Sequence, residues 1–323
     1  MTRESMRDTI VNVLKRTRKR PLVSLLLLIA AVGLGTALYI LAGWLVYRDA
    51  QLVPVLLYHD ISAGEDKPKD TCVRVFENEM RFLHENGYHV IPLRQLIDHM
   101  ESGASLPDKP VVITFDDGEK SNYTLAYPVL KRFSMPATIF LAGGAVGEPH
   151  MLVWDDMREM ENSGLVDIQA HTYGLHWEVF TEPTLDIAKP AMVTPAYFPK
   201  QNRYETEEEF ENKVRLDLIR SRKVIAENLH HEADTLAWPY GAYNRRSLRL
   251  ASEAGFKYFA TLHSGMNRRG ESTLTLRRID CEGNIPLSRF KDLVEPDRSF
   301  KGYLNRLKSD CRRRASEIHR WGW

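Results

Sequence analysis

Val111-Val112-Ile113-Thr114-Phe115-Asp116-Asp117-Gly118 is a run of β-branched and aromatic residues that stops at two adjacent carboxylates and a glycine. Such a run reads as a buried strand. Successive side chains leaving a strand point to opposite sides, so Asp116 and Asp117 cannot easily share one task. Gly118 permits a sharp turn that leaves both at the strand mouth. The arrangement suits one carboxylate to a cation and the other to a proton. A plain Asp-Asp-Gly turn is the competing reading, and this stretch alone leaves it open.

Outward from this strand the same pattern repeats. Short apolar runs at 53–58, 88–91, 137–141, 166–170, 235–238, 258–262 and 273–279 read as strands. Between them, apolar residues recur at helical spacing, as in Phe76, Met80 and Leu83, or Phe210, Val214, Leu218 and Ile225. Strands alternating with helices indicate βα units and parallel pairing. The expected fold is therefore α/β, a distorted (β/α) barrel of about seven parallel strands, with one transmembrane helix before it. Residues 177–204 break the pattern with four prolines and scattered aromatics, and read as a long functional loop.

The chain has 323 residues, enough for one large domain plus appendages. Its net charge of +1 is unevenly spread. Residues 1–20 and 297–323 each carry +5, which leaves −9 for the rest. An acidic body argues against a nucleic-acid partner, for which a basic face is the footprint. Residues 22–47 hold no charged side chain, exceed the roughly 20 residues that span a bilayer, and end near Trp44 and Tyr47. The run is too long for a leader's apolar core and lacks an Ala-x-Ala-like end. The expected organisation is a cytoplasmic basic segment (1–20), a membrane anchor (21–47), an extracytoplasmic domain (48–296) and a basic tail (297–323). Cys72, Cys281 and Cys311 show no zinc-type spacing. Free thiols are the simpler expectation, with a Cys72–Cys281 bond as the alternative.

His59, Asp116, Asp117, His171 and His176 all follow predicted strands. In a βα barrel those positions gather on one face, where active sites lie. Two imidazoles and one carboxylate form a three-ligand site with positions left for water and substrate. That donor set suits Zn²⁺ first, with Co²⁺, Ni²⁺ or Fe²⁺ as alternatives. His171 and His176, five apart, do not share a helical face, but a loop through Gly174 lets both meet one ion.

Thr114-Phe115-Asp116-Asp117-Gly118, a following His-Thr loop, and Trp238-Pro239-Tyr240-Gly241 together resemble the polysaccharide deacetylase family (carbohydrate esterase family 4, the NodB homology domain) over roughly residues 53–280. The resemblance implies that Asp116 is the catalytic base and that Asp117, His171 and His176 hold the metal. The family's usual histidine pair has three residues between; here there are four. That variant, with a histidine in a Tyr58-His59 context ahead of the aspartates, resembles the branch acting on poly-β-1,6-N-acetylglucosamine. His59 is then the general acid. Pro239 and Tyr240 are expected as a groove wall, with the Tyr240 N–H at the oxyanion. Leu236 stands where the family carries an arginine, which leaves open what orients Asp116; Arg278 is a weak candidate. Trp177, Phe180, Tyr197 and Phe198 suit stacking on sugar rings or pinning of the loop.

The implied function is metal-dependent N-deacetylation of an exported N-acetylglucosamine polymer, with a polysaccharide synthase complex as a further partner. Peptidoglycan or a chitin-like chain is the alternative substrate. A non-catalytic carbohydrate-binding or scaffold protein is the alternative class. His150, His230, His231 and His263 are expected as surface histidines, and Arg312-Arg313-Arg314 as a solvated helix face.

Overall fold

In the computed structural model, backbone is described for residues 3–64 and 70–321, and side chains for residues 25–64 and 70–311. The side chains of residues 1–20 and of Arg312-Arg313-Arg314 therefore lie outside the described residues. The chain forms two compact units, Met1–Ala50 with Arg298–Asn305, and Gln51–Asp297 with Arg306–Trp323. In the first, helix α1 (Arg3–Asp49) contains a stretch, Leu25–Asp49, long and apolar enough to cross a membrane.

The second unit is built on eight parallel-paired strands: β1 (Val55–Tyr58), β2 (His89–Val90), β3 (Pro110–Asp117), β4 (Ala137–Leu141), β5 (Val166–Ala170), β6 (Thr235–Ala237), β7 (Tyr258–Ala260) and β8 (Ile279–Asp280). Seven follow one another in the order β7-β6-β5-β4-β3-β1-β8, and β2 pairs with the start of β3. Closure between β7 and β8 is indirect. Ala260 bridges to Leu276 in parallel, just ahead of β8. The Arg278 N–H then donates to the His263 carbonyl at 3.1 Å. The result is a distorted barrel of seven parallel strands, as the alternation of apolar runs implies.

The pleat of β3 positions the chemistry. Val111, Ile113 and Phe115 pack outward against α2 (Val73–Glu85) and α4 (Tyr127–Phe133), in the larger core cluster. Val112 packs with Phe140, Ala237, Ala260 and Leu276 on the opposite face. Asp116 shares the parity of Val112 and Thr114, and so continues the inner face to the strand mouth. Outside, Phe115, Tyr58 and Phe76 form a three-ring cluster with centroids 5.2–5.8 Å apart, which fixes β1 against β3 and α2.

Helices α3 (Leu93–Ser102) and α5 (Trp154–Asn162) complete the run before α6, and the helix starts follow from local chemistry. In α6 (Glu207–Leu229), Thr206 Oγ1 accepts from the Glu209 N–H at 3.2 Å and Glu209 Oε2 accepts from the Thr206 N–H at 2.9 Å. This reciprocal cap satisfies two donors at the helix start and is worth about 1 kcal/mol. In α7 (Arg245–Glu253), the Asn244 carboxamide oxygen accepts from the Ser247 N–H at 2.9 Å.

Two sequence expectations change. Residues 177–204 are not patternless: Glu178–Phe180 pairs antiparallel with Ala188–Pro190, and Tyr197–Phe198 with Arg203–Tyr204. Ribbons of two or three residues are too short to show a period. The run 273–279 is strand only at its end, because Thr273–Thr275 is a 3-10 turn capped by the Ser272 hydroxyl. Cys72 and Cys281 are both buried and unpaired with each other, and Cys311 is exposed and free.

Candidate active site

Asp116 is 2% exposed, in contact with a buried arginine. Arg278 Nη1 donates to Asp116 Oδ1 at 2.6 Å and Nη2 to Oδ2 at 2.8 Å. The guanidinium is itself held by the Thr261 carbonyl, 3.2 Å from Nε, and lies over the Phe140 ring. Burial opposes charge on Asp116. The charge of Arg278, its two hydrogen bonds and the charge of His59 overcome that opposition and hold the carboxyl at about 2. Two parallel bonds also fix its plane, which an ammonium group could not do. Leu236, in the place of the family arginine, is buried in the core, and Arg278, just ahead of β8, clamps Asp116 instead.

Asp117 turns the other way, through a left-handed backbone (φ 71°) followed by Gly118 (φ 85°). A Cβ at Gly118 would press into the Leu141 side chain, so the turn is closed as well as left-handed. Asp117 Oδ1 is buried, makes no hydrogen bond, and lies 3.4 Å from His171 Nε2 and 3.3 Å from His176 Nε2.

His171 directly follows β5. Its Nδ1 lies 2.9 Å from the Ala237 carbonyl, which can only accept, so Nδ1 carries the proton and Nε2 presents a lone pair. Burial lowers this histidine's pKa, keeping the ring neutral. A carboxylate oxygen and an imidazole lone pair facing each other at 3.4 Å repel unless a cation sits between them. The three ligand atoms lie within 4.8 Å of one another. Asp117, His171 and His176 therefore fit a divalent cation by donor chemistry as well as by proximity.

The loop carrying the two histidines is pinned from α6. The Asp217 carboxylate accepts from the Tyr173 N–H at 2.9 Å and the Gly174 N–H at 2.7 Å. Thr172 takes φ 69°, a strained value for a β-branched residue, which brings the chain back toward Asp117. The His171 and His176 rings are then 4.9 Å apart.

His59 follows β1. Its carbonyl accepts from Asn122 Nδ2 at 2.8 Å, and its Nδ1 pairs with Glu282, just past β8. Burial lowers its pKa, but the Glu282 hydrogen bond and the charges of Asp116, Glu282 and Asp117 raise it further, to about 9. The ring is thus cationic at neutral pH and close enough to Asp116 to interact with it. The neighbouring Asp60 carboxylate accepts from the Ser121 hydroxyl at 2.5 Å.

Trp238 is buried, with its indole stacked between Phe259 (5.2 Å, 11°) and Tyr243 (5.7 Å, 18°). That stack supports Pro239–Gly241, a single 3-10 turn in which Tyr240 has φ 57°. Within the turn the Gly241 N–H donates to the Trp238 carbonyl at 2.8 Å and the Ala242 N–H to the Pro239 carbonyl at 3.0 Å. The Tyr240 ring is 49% exposed, lies 4.9 Å from the His176 ring, and donates its hydroxyl to the His176 carbonyl at 3.3 Å. Pro239 is buried beneath it. Trp177, one residue past His176, is 47% exposed on the first ribbon's approach.

Glu282, Asp217 and Asn122 were not among the residues singled out from sequence. Glu282 had one signal, a carboxylate just after the last strand. Of the histidines expected at the surface, His231 instead pairs with Glu161 at 2.7 Å, and His263 lies 3.0 Å from the Tyr243 hydroxyl.

A parallel barrel with a clamped carboxylate, a cationic histidine and an Asp-His-His group that could hold a metal ion at its strand mouths has the parts that hydrolysis calls for. The polysaccharide deacetylase family model matches residues 103–259. The chain is 30% identical over 254 residues to poly-beta-1,6-N-acetyl-D-glucosamine N-deacetylase of Escherichia coli K12, covering 73% of this chain and 38% of that protein. It is 28% identical to the putative polysaccharide deacetylase YxkH of Bacillus subtilis, covering 79% and 80%. Among solved structures, a de-N-acetylase from Aggregatibacter actinomycetemcomitans superposes with a TM-score of 0.69 at 30% identity, covering 75% of this chain and all of that one. The chain belongs to the polysaccharide deacetylase family, whose members are hydrolases of amide bonds. It spans little more than a third of the Escherichia coli relative's length.

Proposed function

We propose that this protein removes acetyl groups from N-acetylglucosamine residues of an exported polysaccharide, poly-β-1,6-N-acetylglucosamine, releasing acetate. The observation that carries the reading is Asp116, ionised and clamped by Arg278, beside a separate Asp117-His171-His176 donor set. The four-residue gap between the histidines, the position of His59 ahead of the aspartates, and the relatives' names support the β-1,6-linked polymer over peptidoglycan or chitin-like chains.

A divalent cation, Zn²⁺ first among the candidates, supplies carbonyl polarisation and a more acidic water when bound by Asp117, His171 and His176. Asp116 takes the proton of the attacking water at a carboxylate oxygen, while Arg278 keeps that carboxylate ionised and oriented. The Tyr240 N–H donates to the carbonyl oxygen as negative charge develops there. His59, held protonated by Glu282, gives its proton to the departing nitrogen; without an acid, an amide anion is too poor a leaving group. Tyr240, Pro239 and Trp177 form an aromatic wall for the sugar ring. The apolar helix is a retained single-pass anchor, with the N-terminus cytoplasmic and the catalytic unit outside, where it acts alongside the machinery that synthesises the polymer.

Acetate release by the full chain in detergent, from β-1,6-linked N-acetylglucosamine oligomers and from peptidoglycan fragments, tests this reading. Release from the former is expected, with loss on chelation and in Asp116→Asn. Release from peptidoglycan alone sinks the substrate assignment, and undiminished release by Asp116→Asn sinks the base.

A further inference from the structure

The unit formed by Met1–Ala50 with Arg298–Asn305 holds a set of contacts that the catalytic reading does not use. Trp44 and Phe300 meet edge to face with centroids 5.6 Å apart, and Tyr47 and Tyr303 lie 5.5 Å apart. Both tyrosines are buried. At Gly43 a Cβ would overlap the Tyr303 hydroxyl, so the apolar helix is notched where that ring crosses it. Polar groups close the same contact. Arg298 Nη1 donates to the carbonyls of Arg48 (2.6 Å) and Ala50 (2.7 Å), and Trp44 Nε1 donates to the Arg298 carbonyl at 3.3 Å. The last carbonyls of a helix lack intrahelical donors, and a guanidinium satisfies them while opposing the negative end of the helix dipole.

An apolar helix that only crosses a bilayer, or is cut away during export, has no need of a fitted partner some 250 residues later in the chain. We propose that Arg298–Asn305 is a juxtamembrane clasp: it grips the last turns of the apolar helix and lays exposed Phe300, Lys301 and Arg48 into the headgroup layer of an anionic phospholipid bilayer. The proposal rests on the anchor reading given above. Phe300 is 43% exposed although it is packed on Trp44, and Lys301 and Arg48 are exposed beside it. Aromatic rings with adjacent cations at the end of an apolar span suit the membrane–water boundary. Each cation near an anionic surface adds attraction that falls away with salt.

The test uses the full chain reconstituted in vesicles. Intact mass is read first; loss of residues 25–49 would sink the anchor reading itself. With the helix retained, Tyr47→Cys with Tyr303→Cys, in a Cys311→Ser background, is expected to cross-link within the chain under mild oxidation. Absence of that cross-link, with the catalytic unit still folded by circular dichroism, overturns the clasp. Separately, a fluorophore on Phe300→Cys, in the same Cys311→Ser background, is expected to be quenched by headgroup-level nitroxide lipid. The quenching should be at least several-fold stronger than for a label at exposed Glu208→Cys, and greater in phosphatidylglycerol than in phosphatidylcholine vesicles. Equal quenching at the two sites, or no dependence on lipid charge, overturns the headgroup contact.

Discussion

Asp116 shows how a single buried carboxylate is kept ionised. A carboxylate 2% exposed is unfavourable unless paired, and Arg278 pairs it in both oxygens at once. Removing the arginine leaves a buried charge without compensation, which costs about 3–5 kcal/mol. Arg278→Leu is therefore expected to lower both stability and acetate release, the latter by roughly 10²–10⁴-fold. Adding Asp116→Leu should restore much of the stability and none of the activity. A double variant as unstable as Arg278→Leu, by urea denaturation, would show that the arginine acts through something other than Asp116. His59 makes the complementary prediction. Protonated up to about 9, it serves as the proposed acid below that pH and not above it. Glu282→Gln removes the carboxylate charge and leaves only a weaker, neutral acceptor for the ring, so the alkaline limb of kcat/KM should move down in pH while the acid limb, assigned to Asp116, stays in place. An unmoved alkaline limb excludes His59 as the acid or Glu282 as its partner. Arg278 was visible in the sequence only as a weak candidate, because it lies 162 residues from Asp116 and no spacing rule links them.

At the scale of elements, the strands were legible because both their faces are covered. Parallel strands buried on two sides give short continuous apolar runs, and those runs stand out between helical periods. Their last residues were legible for a related reason, since a polar residue at the end of an apolar run needs a function or a partner. What the sequence could not show is how the loops are held. Asp217 sits on α6 next to the apolar positions Val214 and Leu218, where it reads as a boundary residue. In the fold it accepts two N–H groups of the loop between His171 and His176. Asp217→Ala should release that loop and weaken metal binding by about 10- to 100-fold, as supporting-contact losses do. Competition with a chromophoric chelator measures this, and an unchanged affinity would mean that the strained Thr172 backbone alone sets the loop. The 177–204 ribbons were missed because pairing of two or three residues is decided by tertiary contact rather than by local pattern.

At the scale of the whole molecule, the barrel's stability is tied to pH through a group outside the chemistry. Glu79, on α2, is 1% exposed and accepts from the Tyr58 hydroxyl at 2.8 Å, while its other oxygen is buried without a hydrogen bond. Burial outweighs the hydrogen bond and raises its pKa from 4.5 to about 8. The folded protein therefore holds a proton that the unfolded chain releases above 4.5. Stability from this group is full below that value, declines as pH rises toward 8, and is level beyond. His59 adds to the decline, since its raised pKa favours the folded state below about 6.5 and loses that advantage as pH climbs through 9. Asp116 works at the opposite end: its pKa of about 2 contributes stability above 3.8 that disappears as pH falls through 2. Urea midpoints of the intact protein should thus fall between pH 5 and 8. Glu79→Gln, which keeps the shape and removes the titration, should flatten much of that slope, worth on the order of a few kcal/mol across the window. A slope as steep in Glu79→Gln as in the parent would place the pH dependence elsewhere, with His59 the next group to test. A flattened slope with unchanged acetate release would show that Tyr58, and with it the strand carrying His59, is held by packing against Phe76 and Phe115 rather than by the carboxyl's charge state.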